Sequence, residues 1–267
     1  MSANLPAVVN PSSFALMQDG AIEDMTDAIN ENLAGGTLSL RHLTAIKMPA
    51  AGSTVWQVPT AGGEENVPAI TGIIILQQPR RVYYEKSMAE ADGENNRPNC
   101  FSNDAKVGVG VRWTNDPEGT GPHDCATCPL SKFGQNNERP RCQLRRNLYV
   151  LREQDMMPVV IDLPPTSIKQ VEGYMAGLMT SGVRYSHAVT EIGLQKAMSK
   201  GGARSNPYSE ATFKQVGVVD RSERPKVNDY KEAIVALVSQ PTPQATGDYD
   251  APMADPSGDM EDIDLDS

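Results

Sequence analysis

Ala69-Ile-Thr-Gly-Ile-Ile-Ile-Leu-Gln-Gln-Pro-Arg-Arg-Val-Tyr-Tyr-Glu-Lys86 carries the strongest β-signal in the chain. An apolar run centred on Ile73–Leu76, rich in β-branched residues, predicts a buried strand and is far too short to cross a bilayer. Pro79 bends this strand or confines it to an edge, because proline cannot donate to a ladder. Beyond it, period-2 alternation sets Arg81 and Tyr83 on one face and Arg80, Val82 and Tyr84 on the other. One tyrosine therefore belongs to the core, while the other is available as a stacking platform. Lys86 adds a further cation.

Reading outward, strands are expected at Leu38–Met48, Thr54–Val58, Lys106–Trp113, Leu148–Arg152, Val159–Leu163, Tyr185–Leu194 and Tyr208–Val219, with a loop over Gly62–Val67. Ile22, Met25, Ile29 and Leu33 recur at helical spacing behind a cap at Asp19, and Gly35-Gly36 ends that helix. Ser167 and Gln170 form an S-x-x-Q capping box opening a helix that Gly182 terminates. A last helix, Asp229–Val238, carries Tyr230, Ile234, Leu237 and Val238 as a stripe. The expected architecture is mainly β with a few helices. It divides into an N-terminal segment 1–37, a core 38–240 containing an insertion 87–147, and a disordered tail 241–267.

Residues 87–147 hold many Gly, Pro, Asn and Asp, and so long an irregular stretch needs a local constraint. Cys100, Cys125, Cys128 and Cys142, the only cysteines, supply one as C-x24-C-x2-C-x13-C. Four thiolates suit a closed structural Zn2+ site; an iron–sulfur cluster takes the same donors, and four merely buried cysteines are the plain alternative. His123, two residues before Cys125, is a spare ligand candidate.

The formal charge of −10 is unevenly spread. Residues 241–267 contain eight acids and no Lys or Arg; removing them from 34 leaves 26 acids against 24 bases, a body charge of −2. Between Lys132 and Arg152 the sequence places Lys132, Arg139, Arg141, Arg145, Arg146 and Arg152 against the single acid Glu138. Guanidinium groups on a stapled loop can bind phosphate bidentately. With Trp113, Phe133 and Tyr149 nearby they form the basic-plus-aromatic composition of single-strand binders, though an arginine-rich solvated loop and core aromatics are the bland readings. In the tail, Asp259, Glu261, Asp262, Ile263, Asp264, Leu265 and Asp266 interleave acids with apolar residues. That pattern suits partner docking or competition for a basic groove, as well as simple solubility.

Taken together, these segments resemble the phage single-stranded DNA-binding proteins, and the plan is similar to the zinc-containing replication proteins of T-even phages. The run Cys125-x-x-Cys128-Pro-Leu-Ser-Lys-Phe-Gly134, followed by Cys142 and Leu148-Tyr-Val-Leu-Arg152, resembles a segment of uncharacterised tailed-phage proteins. The likeness to the T-even family rests on Cys125-Ala-Thr-Cys128, the outlying Cys100 and Cys142, and the acidic end at 248–267. It departs in ligand set: that family uses one His and three Cys with a shorter first spacing, and carries a basic N-terminal motif that this chain lacks. The resemblance implies an OB-fold (oligonucleotide-binding) barrel with a zinc-stapled insertion, protecting single-stranded DNA in replication or recombination. It also implies replication and recombination proteins as partners of the acidic tail.

No G-x-x-x-x-G-K-[ST], H-E-x-x-H or G-x-S-x-G is present, and Gly108-Val-Gly110 is a lone G-x-G with no helix behind it. A non-enzyme is therefore expected. The rivals are a zinc-ribbon-like adaptor for RNA or protein in transcription or the replisome, and a metal nuclease built on scattered carboxylates. The first ten residues lack a basic n-region and an apolar core, so a cytoplasmic protein without membrane attachment is expected, in the host bacterium if the chain is phage-encoded.

Overall fold

A computed structural model describes residues 7–9, 14–36, 38–85, 98–113, 115–135, 138–199 and 206–239. In chain order its strands are β1 (Ala7–Val9), β2 (Ala45–Ile46), β3 (Trp56–Thr60), β4 (Gly63–Val67), β5 (Ala69–Tyr83), β6 (Cys100–Ser102), β7 (Val107–Gly110), β8 (His123–Asp124), β9 (Gln143–Arg152), β10 (Val159–Leu163), β11 (Ala188–Met198) and β12 (Pro207–Val219). The helices are α1 (Ala21–Asn32), α2 (Pro165–Thr180) and α3 (Arg224–Ser239).

The apolar run is one continuous strand, β5, and the main sheet is arranged about it. One edge of β5 pairs with antiparallel β9 from Gly72↔Arg152 to Val82↔Gln143, with a register shift between Ile74 and Leu76. The opposite edge is divided: Ala69–Ile73 pair with β11, and Arg81–Tyr83 pair with β6. Pro79 lies in the interval that β9 alone flanks, where its missing N–H costs no second ladder. Outside these strands, β12 and parallel β1 follow β11, β10 and parallel β2 follow β9, and β7 and β8 follow β6. Strands β3 and β4 form a separate hairpin.

The expected mainly β composition is what the chain adopts. The expected barrel is not: the ten-stranded sheet stays open, ending on β1, β2 and β8. Closure needs the outermost strands to pair, whereas dividing one edge of β5 between β11 and β6 gives the sheet two separate branches.

Each face of the first part of β5 meets its own core. Ile73 and Ile75 pack with Phe14, Leu16, Tyr149, Leu151 and the α3 residues Val227, Tyr230 and Ile234. On the other face Ile70 and Ile74 pack with Trp56 and Val58 of the hairpin, Val171 of α2, and Leu148, Val150 and Ile161. The buried Trp56 indole donates to Ile192 O at 3.0 Å.

Local expectations were revised by tertiary contacts. The N-cap of α2 is Pro164 with no side-chain cap. Ser167 instead lies buried inside the helix and accepts the Ala211 N–H at 3.0 Å, tying α2 to β12. Residues 63–67, expected as a loop, are a strand because β3 supplies a partner; of 38–48 only Ala45–Ile46 joins a ladder. On α1, Ile22 of the expected apolar stripe is 60% exposed. His42 and His187 sit on 3-10 turns rather than strands.

Candidate functional site

Past Pro79 the sheet enters the cysteine segment, and the ladders bring the four thiols to one end. Cys100 on β6 lies across from Tyr83 on one side and Gly110 on the other. Cys142 immediately precedes β9, and its N–H donates to Leu130 O at 2.9 Å. The Cys125 N–H donates to Lys106 O at 2.8 Å, and the Ser131 hydroxyl reaches both Cys125 O and Cys128 O, at 2.7 and 2.8 Å. This loop is thus folded back over β6 and β7.

All four cysteines are buried and unpaired by disulfides. Burial, reinforced by the other three sulfurs, pushes the Cys100 thiol up to about 12. Burial likewise raises Cys142 to about 11, with the Arg81 guanidinium opposing, and raises Cys125. As free thiols these groups are therefore protonated at neutral pH; only a cation among them would favour thiolates. The glycines of Gly108-Val-Gly110 have a steric role here. A Cβ on Gly108 would stand 3.1 Å from Cys100 Sγ and 3.5 Å from Cys125 Sγ, and one on Gly110 (φ +123°) 2.1 Å from Asn99 O. In donor chemistry the set suits a soft four-coordinate cation. Among the described residues, however, no three His, Cys, Asp or Glu side chains are drawn together as a finished metal site.

A buried polar network braces the same end. Arg112 binds Asp116 through Nε and an NH2 group, both at 2.7 Å, and reaches Glu118 at 3.1 Å. These contacts hold the Asp116 carboxyl well below the usual carboxylate range. The ring nitrogens of His123 lie 3.0 Å from Glu118 Oε2 and 2.7 Å from Gly110 O, so the spare ligand candidate is engaged by the loop rather than by the thiols.

The expected nucleic-acid contacts fall into two groups. Lys132, Arg139 and Arg141 are exposed beside the cysteines, Phe133 is 65% exposed, and Tyr84 is half-buried. The others are turned inward. Tyr83 and Tyr149 are each 1% exposed, and Tyr149 donates to Gln78 Oε1 at 3.1 Å. Arg141 lies over the Tyr83 ring at 5.3 Å, and Arg112 over Trp113 at 4.5 Å. Arg80 and Arg145 converge on the buried Asp162, while Arg146 binds Glu172 and Gln77, both at 3.1 Å. Arg81 donates to Cys142 O at 3.4 Å. Lys86 and the whole acidic segment 259–266 lie outside the described residues.

Sequence reading missed Asp162, the Arg112–Asp116 network and the alternation Val107-Gly-Val109-Gly-Val111. The last was legible, since a strand with glycine at every second position has one face with no side chains to bury and one with three valines. A cavity of about 360 Å3, lined by Phe14, Glu65, Thr71 and Arg152, opens at the far end of β5, remote from the thiols. No helix among the described residues is long and apolar enough to cross a membrane. Comparison with protein-family models, curated proteins and solved structures finds no match.

Proposed function

We propose that this chain binds single-stranded DNA without sequence preference, using the cysteine end of its sheet as a rigid cationic platform held by a structural zinc ion. The observation that carries the reading is the coincidence of two things at one end of the sheet. Four buried cysteines, of which burial raises the proton affinity of Cys100, Cys125 and Cys142, share the segment that carries the exposed cations Lys132, Arg139 and Arg141, the last lying over Tyr83. Cys100, Cys125, Cys128 and Cys142 would hold the ion, and its role would be to displace the thiol protons and close a site that orders the loop. No reaction is assigned to it. The exposed cations capture phosphate, exposed rings and apolar side chains take the bases, and the acidic tail recruits replication and recombination proteins and competes with DNA.

The test is oligonucleotide binding across salt concentrations, with metal content measured on the same preparation. Affinity should fall with a log–log slope of about −0.7 per phosphate neutralised. A slope near zero, or equal affinity for single strands and duplex, refutes the reading; absence of both zinc and iron refutes the metal. Deleting residues 248–267 should raise DNA affinity.

A further inference from the structure

The sheet at the cysteine end has two unlike faces. Cross-strand partners share a face, so Tyr83, Cys100 and Gly110 stand on one side, with Arg81 and Ser102. That side is closed: Tyr83, Cys100, Cys142 and Leu130 form a small cluster, and Arg141 covers the Tyr83 ring. On the reverse side Val82 lies across from Phe101, Phe101 from Val109, and Val107 follows two residues along β7. Tyr84 continues this side at the end of β5. Val107 and Val109 are 49% and 48% exposed, and Phe101 and Tyr84 are half-buried.

The reverse face is also electrically polar. At its β5–β9 side Arg80 and Arg145 stand across from each other and share the carboxylate of Asp162, two positive charges on one negative among the described residues. At its β8 side Asp124, across from Val107, is bound to the Ala126 N–H and the Thr127 hydroxyl. An occupant with anionic groups along one edge and flat apolar groups along the other matches this gradient.

We infer that the face bearing Tyr84, Phe101, Val107 and Val109 is the base-docking surface for a single DNA strand, with the phosphates lying toward Arg80 and Arg145. This deepens the function proposed above and rests on it. The bases would then meet a side opposite the thiols, while Lys132, Arg139 and Arg141 serve capture from the thiol side.

The experiment is fluorescence anisotropy of an oligo-thymidine strand on the full chain. Val107→Glu and Val109→Glu, at solvent-accessible positions, should each weaken binding about tenfold, because a carboxylate replaces apolar contact with the bases and repels the phosphates. Val235→Glu on α3, at a position 38% exposed, should leave binding unchanged. Photocrosslinking with an iodouridine strand should attach to Phe101 or Tyr84. Full affinity in both β7 variants, or adducts at Phe133 alone, overturns the face assignment while leaving DNA binding intact. If the unmodified chain binds no single strand, the proposed function falls and this inference with it. Should a glutamate variant lose its far-ultraviolet spectrum, Val109→Thr replaces it, with about threefold weaker binding expected from partial loss of apolar contact and undiminished affinity overturning the assignment.

Discussion

Along β5 the chain passes from a stretch where both faces meet large apolar cores to one where inward-turned arginines and a small cluster of Tyr83, Cys100, Cys142 and Leu130 take their place. In its first part, Ile70, Ile73, Ile74 and Ile75 are at most 2% exposed, and each such side chain contributes about 1.5–3 kcal/mol on burial. Past Pro79, Arg80 shares Asp162 with Arg145, Arg81 leans on the Cys142 carbonyl, and Tyr83 packs against sulfur. The first region is specified by shape and hydrophobicity. The second is specified by groups that are costly to bury unless each finds its partner, and such an end tolerates loss of a partner poorly.

The sharpest way to break that contrast is Asp162→Ala. Removing the carboxylate leaves two inward-turned guanidiniums without compensation, and a loss of about 3–5 kcal/mol is expected from denaturant midpoints at constant slope. A loss below about 1 kcal/mol would show that solvent already screens the pair, and that the second region is not dominated by buried polar partners.

Two glycines test whether the regions unfold together. A Cβ on Gly72 would stand 2.4 Å from Leu151 O, and one on Gly110 2.1 Å from Asn99 O. Gly72→Ala should therefore cost about 1–3 kcal/mol of global stability through overpacking of the doubly covered centre. Gly110→Ala should abolish amide-exchange protection in residues 98–125 while leaving protection along β9 and β11 in place. Loss of protection everywhere in the Gly110 variant would join the two regions into one cooperative unit.

The contrast also explains what was readable in advance. β5 and β10 were legible because a continuous apolar run marks a strand covered on both faces, and β11, β12 and α3 because their apolar residues recur on the buried side; Tyr230 and Ile234, two of the stripe residues expected on α3, are buried in the core. β4 was not, since Gly63-Glu-Glu-Asn-Val67 is exposed along most of its length and is a strand only because β3 pairs with it. Barrel closure was inferred by resemblance, and it fails because a single sequence says nothing of how β5 divides its edge. At the cysteine end the spacing singled out four residues that are all buried in the fold. It did not separate Arg139 and Arg141, which face solvent, from Arg145, whose carboxylate lies 17 residues away on β10.

A smaller effect distinguishes thiols from thiolates. In the unfolded chain cysteine ionises near pH 8.5, whereas Cys100 in the fold is pushed up to about 12 and Cys142 to about 11. A group whose proton affinity rises on folding stabilises the fold below its unfolded value. Above it the unfolded chain loses its protons first, so stability declines as pH rises from about 9 toward 12. Protein treated with a strong chelator should thus lose melting temperature through this window. Protein loaded with zinc should not, because its sulfurs are already ionised and bound. Identical alkaline profiles with and without chelator would remove the metal from the account.

The smallest expected change in stability belongs to Arg141→Ala. Its guanidinium lies 5.3 Å from the Tyr83 ring centre at an exposed position, a contact worth about 0.5–1 kcal/mol. Under the proposed function the same side chain also faces phosphate, and its loss should reduce the salt slope of DNA binding by about 0.7. The two readouts separate its roles. A stability loss with an unchanged salt slope would make Arg141 a lid on the thiol cluster and nothing more. A shallower slope would place at least one phosphate on the thiol side of the sheet, so that the strand must pass around the β6–β7 end to reach Phe101 and Val109.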